Sequence, residues 1–286
     1  MKNIIYVCGY SSSDPLYASC KGLLDLYYDT KRANYIFFDD SEITPENYFR
    51  GERNVINLHL GLDTANPYYT PHGALNERNL WHGIRKNYAI YSYIEKNFDK
   101  DNIFYIHSVT SICVHERLQH FCSLMSDYSN VYAGNILFPA VLGQTIPMLS
   151  GAGRLISFDT VRKLKASYSK IEYLVENDLN EGILMVSHPK YALPRRDYPE
   201  FGETASVDFR IKNFPENFRR DLDAGQFHFR FRTPGLTNSE RLNIDAVLMS
   251  LALDHLLSYD VGKMDSFMNL LKTTQDIVNS RVSSLN

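Results

Sequence analysis

The 286-residue chain lacks the features that assign many proteins to a class at first sight. Its formal net charge is −3 at pH 7, so it has no basic excess of the kind that covers a dedicated nucleic-acid-binding surface. It has four cysteines and no CxxC pair, which argues against a disulfide framework, a zinc knuckle or a thioredoxin-type site. We therefore expect reduced, mostly buried thiols.

Long hydrophobic runs are also missing. No stretch reaches the roughly 20 apolar residues that cross a bilayer. The opening residues, MKNIIYVCGYSSSD, become polar too soon for a secretory signal. The sequence therefore predicts a cytoplasmic protein.

The common nucleotide and hydrolase signatures are absent as well. The chain contains no GxxxxGK[ST], no HExxH and no GxSxG, and CGYSSSD after the first apolar run is not GxGxxG. These absences argue against a P-loop nucleotidase, a zinc protease, an α/β-hydrolase and a typical dinucleotide enzyme.

Apolar and aromatic residues are abundant, at 44% and 13% of the chain, so a large core is expected. Strand-like runs alternate with helical patterns, which predicts an α/β fold with a mostly parallel, Rossmann-like sheet flanked by helices. The predicted strands lie at 3–9, 34–40, 53–61, 102–108 and 131–138, and the predicted helices at 16–28, 76–98, 115–125, 239–257 and 261–278. SGAG at 150–153 is predicted to be a glycine-rich turn before a helix capped near Asp159.

The hexapeptide FHFRFR, residues 227–232, alternates aromatic and cationic side chains. In a strand, one face would be aromatic and the other would carry His228, Arg230 and Arg232, because successive side chains point to opposite faces. Two alternatives are open. The three side chains bind an anion, or the segment is a solvent-facing edge strand whose arginines pair with nearby acids.

Three short motifs follow in a set order: YAG at 132–134, SGAG at 150–153 with Ser157, and NDLNEG at 177–182. Together with Lys86 on the long predicted helix, this order resembles the Fringe and β-1,3-galactosyltransferase-like glycosyltransferases of the GT-A fold. The resemblance covers roughly residues 75–190. It implies a single GT-A-like domain over residues 1–286, with a nucleotide-sugar half at 1–135, an acceptor and catalytic half at 136–235 and C-terminal helices at 236–286.

The resemblance also implies a reaction. Such an enzyme transfers a sugar from a nucleotide-sugar donor, UDP-linked by default, to a glycan, lipid-linked saccharide or other polymer, with inversion. Where the family has its metal-binding DxD motif, this chain has HSVTSI at 107–112, without a carboxylate for Mn²⁺ or Mg²⁺. Either the enzyme needs no metal cofactor, or a non-catalytic protein has kept the scaffold. Asp39, Asp40 and His188 are alternative ligands if Mn²⁺ or Mg²⁺ binds.

Asp178 is the candidate catalytic base, because the resemblance places there the carboxylate that deprotonates the acceptor hydroxyl. Glu176 and Glu181 are rival acids, and a helix N-cap is the structural alternative for Asp178. The candidate donor-binding residues are Gly9, Tyr10, Ser11, Asp40, Lys86, His107, Ser108, His228, Arg230 and Arg232. The candidate acceptor-binding residues are Gly151, Ala152, Gly153 and Arg154.

Several of these residues have ordinary structural alternatives. A lone helix lysine such as Lys86 is usually just solvated, and His107 is equally expected as a buried histidine with satisfied hydrogen bonds. A phage-type DNA-modifying glycosyltransferase is a further alternative, which would need a local basic groove. The apolar C-terminal helices either close the core or form a homodimer face.

Overall fold

The computed structural model describes residues 2–40, 54–58, 77–125, 128–141, 143–168, 177–198, 206–259 and 264–284. Its elements, in chain order, are β1 (Asn3–Tyr10), α1 (Pro15–Thr30), β2 (Asn34–Asp39), β3 (Val55–Asn57), α2 (Glu77–Asn97), β4 (Asn102–Ser108), β5 (Ser111–Cys113), α3 (His115–Ser123), β6 (Tyr132–Leu137), β7 (Ala140–Val141), β8 (Gln144–Thr145), β9 (Met148–Ser157), α4 (Phe158–Ser167), α5 (Asn177–Leu184), β10 (Tyr191–Ala192), β11 (Arg195–Tyr198), α6 (Val207–Asp223), β12 (His228–Phe231), α7 (Asn238–Leu242), α8 (Asp245–Ser258) and α9 (Met264–Ser283).

A seven-stranded sheet organises the described part of the chain, in the order β10-β6-β9-β4-β1-β2-β3. Neighbouring strands run parallel except at β9, which lies antiparallel to both β4 and β6. The predicted α/β class with a mostly parallel sheet flanked by helices is confirmed. Of the strand predicted at 53–61, residues 53 and 59–61 lie outside the described ranges.

Helices cover both faces of this sheet, as the alternation along β1 shows. Tyr6 and Cys8 belong to one buried cluster, which also contains side chains of α1, α6 and α8. Ile5 and Val7 belong to a second cluster, with side chains of α2 and α4. Because side chains alternate along a strand, a fully apolar strand serves two cores at once.

FHFRFR lies in a separate three-stranded sheet, in the order β11-β12-β5. Its strand β12 runs parallel to β11 and antiparallel to β5, so the edge-strand alternative is wrong. Phe227, Phe229 and Phe231 are fully buried in the first cluster. The predicted aromatic face therefore anchors this small sheet to the core.

Three local predictions need correction. SGAG is part of the extended strand β9 and is not a turn. The N-cap of α4 is Ser157, whose hydroxyl accepts from the Thr160 N–H, while Asp159 lies in the first turn. Sequence analysis assigned no helix to residues 207–223, where α6 forms behind its N-cap Ser206 despite an internal proline.

The C-terminal helices pack onto the core. Leu248, Met249 and Leu253 of α8 and Phe267 of α9 are buried in the first cluster. Closing of the core is thus their observed role, and a homodimer through them stays a prediction. Among the described helices, none has the length and hydropathy needed to cross a membrane.

Candidate functional site

Polar side chains gather at the carboxyl ends of the parallel strands. The strand registers align Tyr10 with Asp39 and Gly9 with Ser108, so β1, β2 and β4 end at one edge of the sheet. Ligands of open α/β sheets bind at this edge. β9 reaches the same region, since His107 of β4 pairs with Gly153.

Asp178 lies in the first turn of α5, and its side chain keeps 30% of its surface exposed. Its Oδ2 accepts the Gly151 N–H at 2.6 Å, which ties α5 to β9. Within the described residues it makes no bond to its own helix, so the N-cap alternative is wrong. Burial raises the pKa of Asp178, and the Arg154 guanidinium and the Gly151 N–H act in the opposite direction.

Gly151 makes this contact possible. A Cβ atom added there would lie 2.3 Å from Oδ1 of Asp178 and 2.8 Å from its Cγ. Glycine is therefore required at this position for the carboxylate to reach the strand. Of the four candidate acceptor residues, Gly151 alone is not buried. Ala152, Gly153 and Arg154 are buried, so direct contact with an acceptor is not supported at these three positions.

Glu181, one turn further along α5, is fully buried. Its Oε1 accepts from Asn87 Nδ2 at 3.0 Å, from the Tyr91 hydroxyl at 2.9 Å and from the Tyr168 hydroxyl at 2.6 Å, and its Oε2 accepts from Arg154. With this many donors it is not free to act as the base. The other rival acid, Glu176, lies outside the described residues.

Arg154 lies beneath Asp178 and is only 2% exposed. It forms an ion pair with Glu181, and its Nη1 is 3.9 Å from Oδ1 of Asp178. Its guanidinium thus compensates the buried carboxylate of Glu181, approaches that of Asp178, and does not face solvent, where an acceptor or a phosphate would arrive.

His228 occupies space that Gly153 leaves open. A Cβ at Gly153 would lie 2.5 Å from the Tyr105 hydroxyl and 2.6 Å from Cε1 of His228. The Tyr105 hydroxyl is hydrogen-bonded to Nδ1 of His228 at 2.5 Å, and Nε2 is buried without a partner in the described part of the chain. Burial, assisted by nearby cations, holds the pKa of His228 well below its usual value, so the ring is neutral.

Arg230 is the least satisfied cation of the region. Its side chain makes no hydrogen bond or ion pair with any described residue, and its Nε is buried. Burial, with Arg232 and Arg195 nearby, lowers its pKa to about 10. Arg230 in turn lowers the pKa of Asp178, so the two groups share one electrostatic environment. Arg232 follows on the same strand face and is exposed.

Arg195 is a site residue that sequence analysis missed. Its Nη1 bonds to Ser150 Oγ at 2.5 Å, and its Nη2 lies 3.0 Å from Oδ2 of Asp197. The pairing of β11 with β12 aligns Arg195 with His228 and Asp197 with Arg230. This register is a tertiary feature, and the only local signal was the charged run RRD at 195–197.

Lys86 and Asp40 form an ion pair of 2.6 Å at the ends of β1 and β2. Lys86 therefore does not lie on a freely solvated helix face. A Cβ at Gly9 would lie 2.3 Å from Cε of Lys86, so the lysine crosses directly over this glycine. Ser11 is partly exposed nearby, but the side chain of Tyr10 is buried in the core, which argues against a donor contact by its ring.

His107 is a buried histidine with both nitrogens satisfied. Its Nδ1 lies 2.8 Å from the Ser108 carbonyl and therefore donates, and its Nε2 accepts from the Tyr28 hydroxyl at 2.5 Å. Burial lowers the pKa of His107 to about 4. The imidazole of His107 is thus not available to bind a nucleotide-sugar donor. The side chain of Ser108 is partly exposed.

The segment that would hold a metal in the resembled family offers no carboxylate. Val109, Thr110 and Ser111 are buried, and Ser111 Oγ donates to the Ser108 and Ala152 carbonyls. Hard cations such as Mn²⁺ and Mg²⁺ want carboxylate oxygens, so this donor set does not fit them. Nor do the described residues include any group of three or more His, Cys, Asp or Glu side chains placed to hold a metal ion.

The alternative ligands are not brought together either. Asp40 is paired with Lys86, and Oδ1 of Asp39 accepts the Ser12 N–H at 3.0 Å. His188 lies beyond the end of α5, where its Nε2 bonds to the Asn130 carbonyl at 3.0 Å.

No family model and no curated protein matches the chain. Among solved structures, it is similar to a glycosyltransferase involved in the glycosylation of the major capsid of PBCV-1, with 14% identity, a TM-score of 0.47, and coverage of 85% of this chain and 98% of that one. It is similar to the galactosyltransferase LgtC, with 10% identity, a TM-score of 0.46, and coverage of 85% and 95%. A third similar structure is mouse xyloside xylosyltransferase 1, with 10% identity, a TM-score of 0.38, and coverage of 73% and 91%. Likeness at these values says nothing of this chain's reaction, which has to be argued from its side chains.

Proposed function

We propose that this chain is a glycosyltransferase that moves a sugar from a nucleotide-sugar donor, UDP-linked by default, to a hydroxyl of a glycan, lipid-linked saccharide or other polymer. The observation that carries the proposal is the setting of Asp178. Its partly exposed carboxylate is held on Gly151, in the electrostatic field of Arg230, a cation with no partner among the described residues. A carboxylate base such as Asp178, near a cation such as Arg230 whose side chain has no described partner, suits a reaction in which a hydroxyl attacks and an anion leaves.

In the proposed inverting step, the acceptor oxygen attacks the anomeric carbon while its proton passes to Asp178. The bond from the anomeric carbon to the phosphate oxygen breaks, and its electron pair leaves with the nucleoside diphosphate. Burial raises the pKa of Asp178, which strengthens it as a base, and its remaining exposure leaves room for the acceptor.

The leaving diphosphate carries developing negative charge, which fixed donors can stabilise. Arg230 and Arg232 supply guanidinium groups, whose planar forks match phosphate oxygens. His228 adds an unpartnered Nε2, oriented by Tyr105 at Nδ1. We therefore propose that the reaction needs no metal ion.

The nucleotide is proposed to bind where β1, β2 and β4 end, near Gly9, Ser11, Ser108 and the ion pair of Asp40 with Lys86. Carboxylates at such strand ends accept hydrogen bonds from ribose hydroxyls in other α/β proteins.

The test is thermal stabilisation by a panel of nucleotide sugars and nucleoside diphosphates, each with Mn²⁺ and with EDTA. A ligand that binds only the folded state raises Tm by mass action. At a concentration 100 times its Kd, it adds about 2.7 kcal/mol to the free energy of unfolding. We expect a shift with one nucleotide class that EDTA leaves unchanged. A shift that requires Mn²⁺ would overturn metal independence.

A non-catalytic binding protein on the same scaffold is the second candidate. It is favoured by one observation, the buried turn without carboxylates at residues 109–111. The variant Asp178→Asn distinguishes the two candidate functions. In a transferase, this variant keeps nucleotide binding and loses sugar transfer, whereas a binding protein shows no transfer in either form.

A further inference from the structure

Asp178 and Glu181 stand three residues apart on α5, a spacing that places side chains on one helix face. Arg154 of β9 lies between them, paired with Oε2 of Glu181 and 3.9 Å from Oδ1 of Asp178. One cation therefore faces two carboxylates, of which Glu181 is fully buried and Asp178 is partly exposed.

Glu181 is anchored from other elements. Asn87 and Tyr91 of α2 and Tyr168 after α4 all donate to its Oε1, which leaves Oε2 directed at Arg154. This arrangement fixes the guanidinium from one side. An arginine needed only to balance Glu181 would not also have to approach Asp178.

We infer that Glu181 and Arg154 form a positioning pair that sets the place and the charge state of the Asp178 carboxylate. The inference rests on the proposed function, in which Asp178 is the base. Neither partner touches the substrate, since both are buried.

The sign of each effect follows from charge. Arg154 favours the ionised form of Asp178 and lowers its pKa, while the anionic Glu181 raises it. The pair therefore keeps the carboxylate ionised without making it a weak base. Among the described residues, the other ionisable groups around this network are Tyr132 on β6, Tyr91 on α2, Tyr168 after α4, Arg195 and Asp197 on β11, and Arg230 on β12.

The experiment measures the Asp178 carboxyl directly, by carbon NMR titration of the full chain labelled at aspartate, with the signal assigned by its loss in Asp178→Asn. Arg154→Gln is expected to raise the pKa of Asp178 by about one pH unit or more, and Glu181→Gln to lower it by a smaller amount. Arg154→Lys keeps the charge and should stay near wild type. Tyr168→Phe removes one donor to Glu181 without changing any charge, and should also leave the titration near wild type.

If a single variant fails to fold, the double variant Arg154→Gln with Glu181→Gln keeps the test, because it leaves no unpaired buried charge. Its Asp178 pKa should rise, since the effect of Arg154 is the larger of the two. Shifts in the same direction for both single variants, or no shift in any of them, would overturn the inference.

The titration needs no substrate, so it separates this inference from the proposed function. If Asp178→Asn keeps turnover of a UDP-sugar, Asp178 is not the base and the inference falls with it, whatever the titration shows. If Asp178→Asn abolishes turnover and the opposite shifts appear, the acidic limb of the pH–rate profile should move in the same directions as the titration, which supports both.

Discussion

Substitution of Gly151 by alanine tests the proposed base, Asp178, without mutating that residue. The added Cβ would lie 2.3 Å from Oδ1 of Asp178, whereas ordinary contact begins near 3.4 Å. The carboxylate must therefore move by about 1 Å, and its 2.6 Å bond to the Gly151 N–H is lost or lengthened. The Asp178 side chain is the group that moves, because the three atoms nearest to the added Cβ all belong to it.

Two magnitudes follow for Gly151→Ala. A hydrogen bond to a charged group contributes about 1.5–3 kcal/mol, so a loss of about 2 kcal/mol should lower Tm by roughly 4–8 °C. A displacement of about 1 Å in a reacting group can reduce turnover by about 100-fold. We expect the Kd for the nucleotide to stay within about twofold of wild type, since the strand ends at β1 and β2 are unchanged.

The assay measures release of the nucleoside diphosphate from the donor that the thermal-shift panel identifies, with the Kd from calorimetry. Gly22→Ala is the matched control, because a Cβ at this α1 position meets nothing within 4 Å. It should keep turnover and gain about 0.4–1 kcal/mol of stability. Wild-type turnover in Gly151→Ala would refute the placement of the base at Asp178.

Three further outcomes are expected. Arg230→Met should weaken binding of the nucleoside diphosphate by about 10- to 100-fold in calorimetry, whereas Arg219→Met on the exposed face of α6 should not, and equal affinities would remove Arg230 from the site. Lys86→Met removes the ion pair to Asp40, whose side chain is only 6% exposed, so it should lower Tm. Asp40→Asn added to it should restore part of the loss, and no recovery would mean that their ion pair is not the cause. Burial holds the pKa of His107 at about 4 in the folded state, against 6.5 in the unfolded chain, so the unfolded chain binds more protons between these pH values. Stability should therefore fall as the pH drops through that window, by roughly 3 kcal/mol from this residue. Denaturant unfolding between pH 7 and pH 4 should show a flatter dependence in His107→Gln, and an unchanged slope would contradict a neutral buried ring.

Most elements of the described sheet could be predicted from the sequence, because hydrophobic periodicity is a local property. The strand at 102–108 was predicted within its observed bounds, and the long helix at 76–98 within one residue at each end. Local patterns failed where tertiary contacts override them. The glycines of SGAG suggested a turn, but they serve close packing in a strand, where Asp178 approaches Gly151 and His228 approaches Gly153.

The candidate site shows the same division. Motif order singled out Asp178, and alternation in FHFRFR placed His228, Arg230 and Arg232 on one face. The structure then separated Asp178 from its rival Glu181, because both are acids on one short helix but only Glu181 is fully buried and accepts from four side-chain donors. The pairing of β11 with β12 added Arg195, 33 residues before its strand partner His228. The sequence by itself determined which chemical groups each segment carries, because residue type and hydrophobic periodicity are local properties of the chain. Only the tertiary structure decided which charges are buried, paired or left free, because those properties depend on contacts between residues far apart in the chain.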